Sequence, residues 1–213
     1  MGVTRTVDID RYTPFAKDYS MAGRNAYIAP FLEHHPEIDN SVYIAQTAAV
    51  VGAVRIGKNS TIWHQVTLRG DNHFITIGEG TNIQDNSCVH VNSRDYPTII
   101  GNHVNIGHCA LVHACHLHDH AFVGMGSIVM DGAVIESDGM LAAGAMLTPR
   151  KRIPSGELWA GRPACKMRDL TADEIADNRH IARHYVEVGR AHRLGAVGGP
   201  FIDMHSHPLP PRD

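Results

Sequence analysis

The chain has 213 residues, 43% of them hydrophobic and 19% charged, enough for one sizeable core and too apolar for a disordered segment. Its net charge of -3 argues against a dedicated nucleic-acid binder, and no run of 18 apolar residues is present to span a bilayer. The opening residues MGVTRTVDID carry no apolar signal core, so a cytoplasmic protein with Cys88, Cys109, Cys115 and Cys165 reduced is expected.

Residues 1–37 read as an N-terminal arm with an irregular insert from Phe31 to Glu37. From Ile38 an aliphatic residue returns every six positions: Ile38, Ile44, Val50, Ile56, Ile62 and Leu68. After an interruption the series resumes at Ile77, Ile83 and Val89, and again at Ile100, Ile106 and Val112. A five-residue step then leads to Leu117, Val123, Val129, Ile135, Leu141 and Leu147. The fourth residue after each slot is usually small or β-branched, as at Ala48, Ser60, Ala110, Ser127 and Ala145. Neither a helical period nor plain strand alternation produces this pattern. A hexapeptide repeat does, and it predicts an all-β fold, a parallel β-helix over 38–150. Three hexads make one triangular coil, with the slot residues stacked inside and small residues at the corners, where the chain turns. A sandwich of short strands is the alternative, but its spacing is less regular.

Pro154, Gly156, Gly161 and Pro163 mark an exit loop. Thr171 with Glu174 has the spacing of a capping box, so residues 151–194 are read as that loop followed by a C-terminal helix to about Arg193. Ile175, Ala182, Tyr185 and Val188 would face one side of it and pack along the β-helix. The Gly- and Pro-rich stretch 195–213 reads as a flexible tail.

The period also places side chains. Slots three apart lie on one face, one coil higher, at about 4.8 Å. Leu68, Val89 and Val112 are then in register, and the residues after them, Arg69, His90 and His113, form one outward column. Ile62, Ile83 and Ile106 make a neighbouring column, with His64, Asp85 and His108 two residues beyond. Stacked His90 and His113 can share a metal, whereas His108 lies round the prism and would come from a neighbouring subunit. A three-fold trimer would place three such sites at its interfaces. Three neutral imidazoles leave a fourth zinc position open for water. Asp71, Gln84 and Asp85 lie close enough in the repeat to orient ligands or nucleophile. The competing reading is a β-helix face whose histidines simply bind solvent.

Other histidines carry less. His64, His103, His116, His118 and His120 are expected to be exposed or bridging, and His34, His35, His205 and His207 solvated. Cys109 and Cys115 fit as small thiols at corners. Arg69 and Asp71 form either an ordinary surface ion pair or a register-fixing pair at a subunit interface.

LRGDN at 68–72, TNIQDNSCVHV at 81–91, VNIGHCALVHAC at 104–115, VGMGSIVMDGAVI at 123–135 and WAGRPACKMRDLT at 159–171 resemble the gamma-class carbonic anhydrases, over roughly residues 38–186. The resemblance implies a left-handed β-helix, a homotrimer and zinc (or iron or cobalt in its place) bound between subunits, with CO2 and bicarbonate as substrates. It implies His90 and His113 as ligands from one subunit and His108 from the next. It also implies Arg69 and Asp71 as an interface pair, Gln84 and Asp85 beside the metal-bound water, Asn82 in the same segment, and Tyr185 reaching in from the helix. Better-known members carry a longer acidic loop after the first ligand, with a proton-shuttling glutamate. Here only Asn92 to Pro97 connects the coils, without a glutamate, and Asn72 follows Asp71 in place of a second acid. Proton transfer then falls to His73, another histidine or buffer, and low turnover is expected. Two other functions use the same repeat: a hexapeptide-class acyltransferase with a histidine as general base, and a metal-binding scaffold without turnover.

Overall fold

The structure, a computed structural model, describes residues 26–194. Short strands wind into a parallel β-helix with three faces. One face runs through Cys88–His90, Leu111–His113, Ile128–Val129 and Met146–Leu147. A second runs through Thr98–Ile100, His116–Leu117, Val134–Ile135 and Arg152–Ile153. The long strands Ala49–Ile56 and Thr67–Ile77 bend from the first face onto the second and join them. The third face has seven parallel strands, from Tyr43–Ile44 to Glu157–Gly161.

The hexad explains the core. Of the eighteen slots, all but Ile38 are buried, and Ile38 is half-buried in the first coil. Ladder pairs superpose them as the period requires, Ile62 on Ile83 on Ile106 and Leu68 on Val89 on Val112. The sharp turn, however, falls one residue before the small position. Asn59, Gln65, Asn86, His103, Cys109, His120, Asp138 and Arg150, each three residues past a slot, have φ between 57° and 62° except His103 at 54°. The next residue, such as Ala110 or Ala121, turns back inward and is buried, which limits its size. The glycine directly after a slot answers a different need: at Gly107 a Cβ would come within 2.7 Å of the Met125 nitrogen on the next coil.

Both ends of the repeat extend beyond the hexads read from sequence. Tyr27–Ala29 pairs in parallel with Ala49–Val51. Ile153, in phase with Leu147, is fully buried. The stretch expected as an exit loop instead holds an antiparallel hairpin, Glu157–Gly161 against Ala164–Asp169, in which Gly161 and Pro163 mark a tight turn. The helix Ala172–Leu194 opens with the expected box: Thr171 N–H donates to Glu174 Oε2 (2.9 Å) and Glu174 N–H to Thr171 Oγ1 (3.2 Å). It lies on the third face, with Ala182 buried and Tyr185 and Val188 packed against the core. Gly189 permits the contact, because a Cβ there would come within 2.2 Å of Thr61 Cγ2. Arg179 on the helix grips Asp138 at a corner with two hydrogen bonds of 2.9 and 2.7 Å. The tail 195–213 and the first 25 residues lie outside the described residues. No helix among the described residues is long and apolar enough to cross a membrane.

Ile106→Ala, at a site with no exposed surface, is expected to cost about 2–5 kcal/mol, read as a lowered urea midpoint. Arg168 and the Thr171 N–H hold the Glu174 carboxyl down at about 2. Its contribution to stability is therefore present above the ordinary carboxylate range and fades as pH falls toward 2. Glu174→Gln should lower the melting temperature at pH 7, by an amount that shrinks steadily below pH 4.5.

Candidate metal centre

The strands Cys88–His90 and Leu111–His113 pair in register, which sets the two imidazoles one above the other. His90 Nδ1 faces His113 Nε2 at 3.2 Å. The far nitrogen of each ring meets a carboxylate: His90 Nε2 lies 2.9 Å from Asp71 Oδ1, and His113 Nδ1 lies 2.6 Å from Asp131 Oδ1. A neutral imidazole has one N–H. With that N–H placed on the carboxylate in each ring, the two facing nitrogens would both be bare lone pairs. Lone pairs so close repel unless a cation or a proton lies between them. Two Zn–N bonds of about 2.05 Å at a tetrahedral angle would separate their nitrogens by about 3.3 Å, so the pair fits a shared divalent metal. Carboxylates behind the rings suit ligand histidines as well, since they fix the tautomer and raise basicity.

His108 stands apart from this pair. It projects from the corner after Ile106, and its Nδ1 lies 2.9 Å from Asp85 Oδ2, the residue below it in the column. Its side chain is 40% exposed. Among the described residues no three metal-ligating side chains of one chain converge. His64, at the base of that column, bonds Thr47 Oγ1 at 3.0 Å. Arg69 and Asp71 pair with each other along one strand, and Asp71 also accepts from Asn72. Burial pushes the Asp71 carboxyl up, but the bonds to His90 and Arg69 outweigh it and leave it below the usual range.

Behind the corner runs a chain of buried amides. Gln84 Nε2 donates to Asn82 Oδ1 (3.0 Å), Asn82 Nδ2 to Asn105 Oδ1 (2.6 Å), and Asn105 Nδ2 to the Asn178 carbonyl of the helix (2.8 Å). That carbonyl can only accept, so it sets the direction of every bond behind it. Tyr185 packs against Trp63, with ring centroids 5.7 Å apart, and Trp63 against Tyr43 at 5.1 Å. Burial and the nearby Asp85 carboxylate raise the phenols of both tyrosines.

Sequence reasoning missed two residues of the site. Asp131 lies one coil above His113, and Asn92 Nδ2 donates to its Oδ2 at 2.7 Å. Carrying the column one coil beyond Val112, to Val129, would have brought Asp131 to this corner. Burial raises the Asp131 carboxyl, but the bonds from Asn92 and His113 prevail and lower it overall. Four of the other histidines stack in pairs: His103 on His120 at 5.4 Å and His116 on His118 at 4.1 Å. All four cysteines are free. Cys109 does occupy a corner, whereas Cys115 is core, and burial drives its thiol far up.

The parallel coils and hexad core define the hexapeptide-repeat class. A hexapeptide transferase family protein from Anaplasma phagocytophilum superposes with a TM-score of 0.75 at 48% identity, over 78% of this chain and 98% of that one. No family model matches the chain. Among curated proteins, gamma carbonic anhydrase 1, mitochondrial, of Arabidopsis thaliana is 46% identical over 162 residues, 74% of this chain. The chain spans 59% of that relative's length. The carbonic anhydrase of Geobacillus kaustophilus is 39% identical over 78% of this chain and 91% of its own length. The chain belongs to the gamma carbonic anhydrase family.

Asn82→Ala would leave Gln84 Nε2 and Asn105 Oδ1 buried without these partners. A loss of about 1–3 kcal/mol is expected in denaturant unfolding.

Proposed function

We propose that this protein catalyses the reversible hydration of CO2 to bicarbonate at a zinc ion shared between subunits of a homotrimer. His90 and His113 of one subunit and His108 of its neighbour would hold the metal. The observation that carries this reading is the pair of ring nitrogens 3.2 Å apart, each ring backed by a carboxylate. His108 has the same backing from Asp85, and it is exposed where a neighbouring chain can reach it. The face carrying His90 and His113 supports assembly, because Leu111 is exposed on it and Ile128 and Met146 are only half-buried around the histidines.

When bound, the cation supplies acidified solvent as the nucleophile for CO2. The chain's own groups orient the reactants. The amide chain fixes Gln84 with its Nε2 spent on Asn82, so its carbonyl oxygen is the acceptor left for a solvent proton. Asp85 orients His108, and Asp71 orients His90 while Arg69 holds Asp71 in place. Tyr185 and Trp63 wall the corner with aromatic surface. The short segment from Asn92 to Pro97 offers no glutamate to carry protons away, which leaves that step to His73, another histidine or buffer.

Acyl transfer is the second reading, because the Anaplasma structure is named a hexapeptide transferase family protein. A metal-binding scaffold without turnover is the third.

Purified protein should carry about one divalent metal per chain, and His113→Ala should lose most of it. Stopped-flow CO2 hydration by the zinc- or iron-loaded protein should rise with buffer concentration and fall to background in His113→Ala. Equal rates in both proteins overturn the enzyme reading. Acetyl-CoA binding by calorimetry in metal-free protein would favour acyl transfer, and bound metal with no turnover the scaffold.

A further inference from the structure

The segment after His90 has a structural task that follows from its hydrogen bonds. Asn92 Oδ1 accepts the Arg94 N–H at 3.0 Å, and Asn92 N–H donates to the Tyr96 carbonyl at 3.1 Å. With its oxygen so engaged, the amide must turn its Nδ2 outward, and it donates to Asp131 Oδ2 at 2.7 Å. The other carboxylate oxygen meets His113 Nδ1 at 2.6 Å. Each oxygen of Asp131 therefore has its own donor, and the carboxylate cannot rotate without breaking a bond. The corner beneath is fixed as well. Gly132, at φ 68°, donates to the Ala114 carbonyl at 2.7 Å, and the Tyr96 ring lies where a Cβ on Gly132 would come within 3.1 Å.

We propose that Asn92 and Asp131 are positioning residues that hold His113 in its Nδ1–H tautomer, with the Nε2 lone pair presented to the metal. This rests on the metal-centre reading above. A free imidazole exchanges tautomers and rotates about its bond to Cβ, so only part of its population offers Nε2 in the right direction. A fixed acceptor on Nδ1–H removes both freedoms. Asp131 isolates this effect better than Asp71 or Asp85 does. Asp71 is also tied to Arg69 and Asn72, and Asp85 belongs to the residues placed beside the reacting solvent.

The test uses cobalt(II) as the probe, with affinity measured by competition against a chelator and geometry read from the visible spectrum. Asp131→Asn is isosteric but cannot serve both neighbours: if its amide oxygen accepts from His113, its NH2 group faces the NH2 group of Asn92. Cobalt affinity should fall about 10- to 100-fold, the usual cost of removing a partner behind a ligand histidine. Asn92→Ala should lower it less. The swapped pair, Asn92→Asp with Asp131→Asn, restores an acceptor for each donor and should recover most of the loss and the parent spectrum. Melting of the metal-free proteins and sedimentation separate this from misfolding. A parent that binds cobalt while Asp131→Asn binds within twofold of it overturns this proposal and leaves the metal centre standing. A parent that binds no cobalt overturns the metal centre and this proposal with it. A swapped pair as weak as Asp131→Asn also overturns the positioning role, since it would mean the charge at 131 matters and the hydrogen-bond direction does not.

Discussion

In-register stacking of one coil on the next governs everything else in this protein. Parallel backbone hydrogen bonds repeat at the strand spacing, so whatever one coil does at a given position is copied on the coil above. The slot aliphatics stack because of it, and so do the outward residues. A one-residue slip would send each buried aliphatic to solvent, which makes the register costly to change. Chemistry built on such a face inherits that rigidity. His90 and His113 meet at 3.2 Å because Val89 lies on Val112.

Electrostatics then specialises the face. Three histidines each bring one nitrogen to a carboxylate, from three different places in the chain: Asp71, Asp85 and Asp131. Two of the carboxylates are held by further donors, Asp71 by Arg69 and Asn72 and Asp131 by Asn92. The result is three imidazoles each backed by a carboxylate, two of them with their other nitrogens 3.2 Å apart. The amide chain from Asn178 to Gln84 performs a similar service through hydrogen-bond direction alone. It also ties the helix to the corner, so the helix contributes orientation as well as coverage of the third face.

Much of this was readable from residue order. A period of six in aliphatic residues leaves few architectures, and the column arithmetic paired His90 with His113 before any coordinates. The position of the sharp turn was not readable, because the eye goes to small residues, whereas the left-handed conformation falls on the residue before them. Residues as large as Gln65 and Arg150 occupy it, since its side chain projects outward and only its backbone must adopt positive φ. The hairpin after Ile153 was hidden for a related reason: proline and glycine signal a turn without saying whether strands flank it.

The amino-acid sequence by itself determined the repeat, the core and the identity of the stacked imidazole pair, because a strict period converts position along the chain into position in space. Only the tertiary structure decided which carboxylate stands behind which ring. Asn92 and Asp131 are 39 residues apart and meet through side chains at a corner, where rotamers rather than register choose the partner. The direction of the buried amides likewise depends on a helix carbonyl 73 residues beyond Asn105, which no local pattern announces.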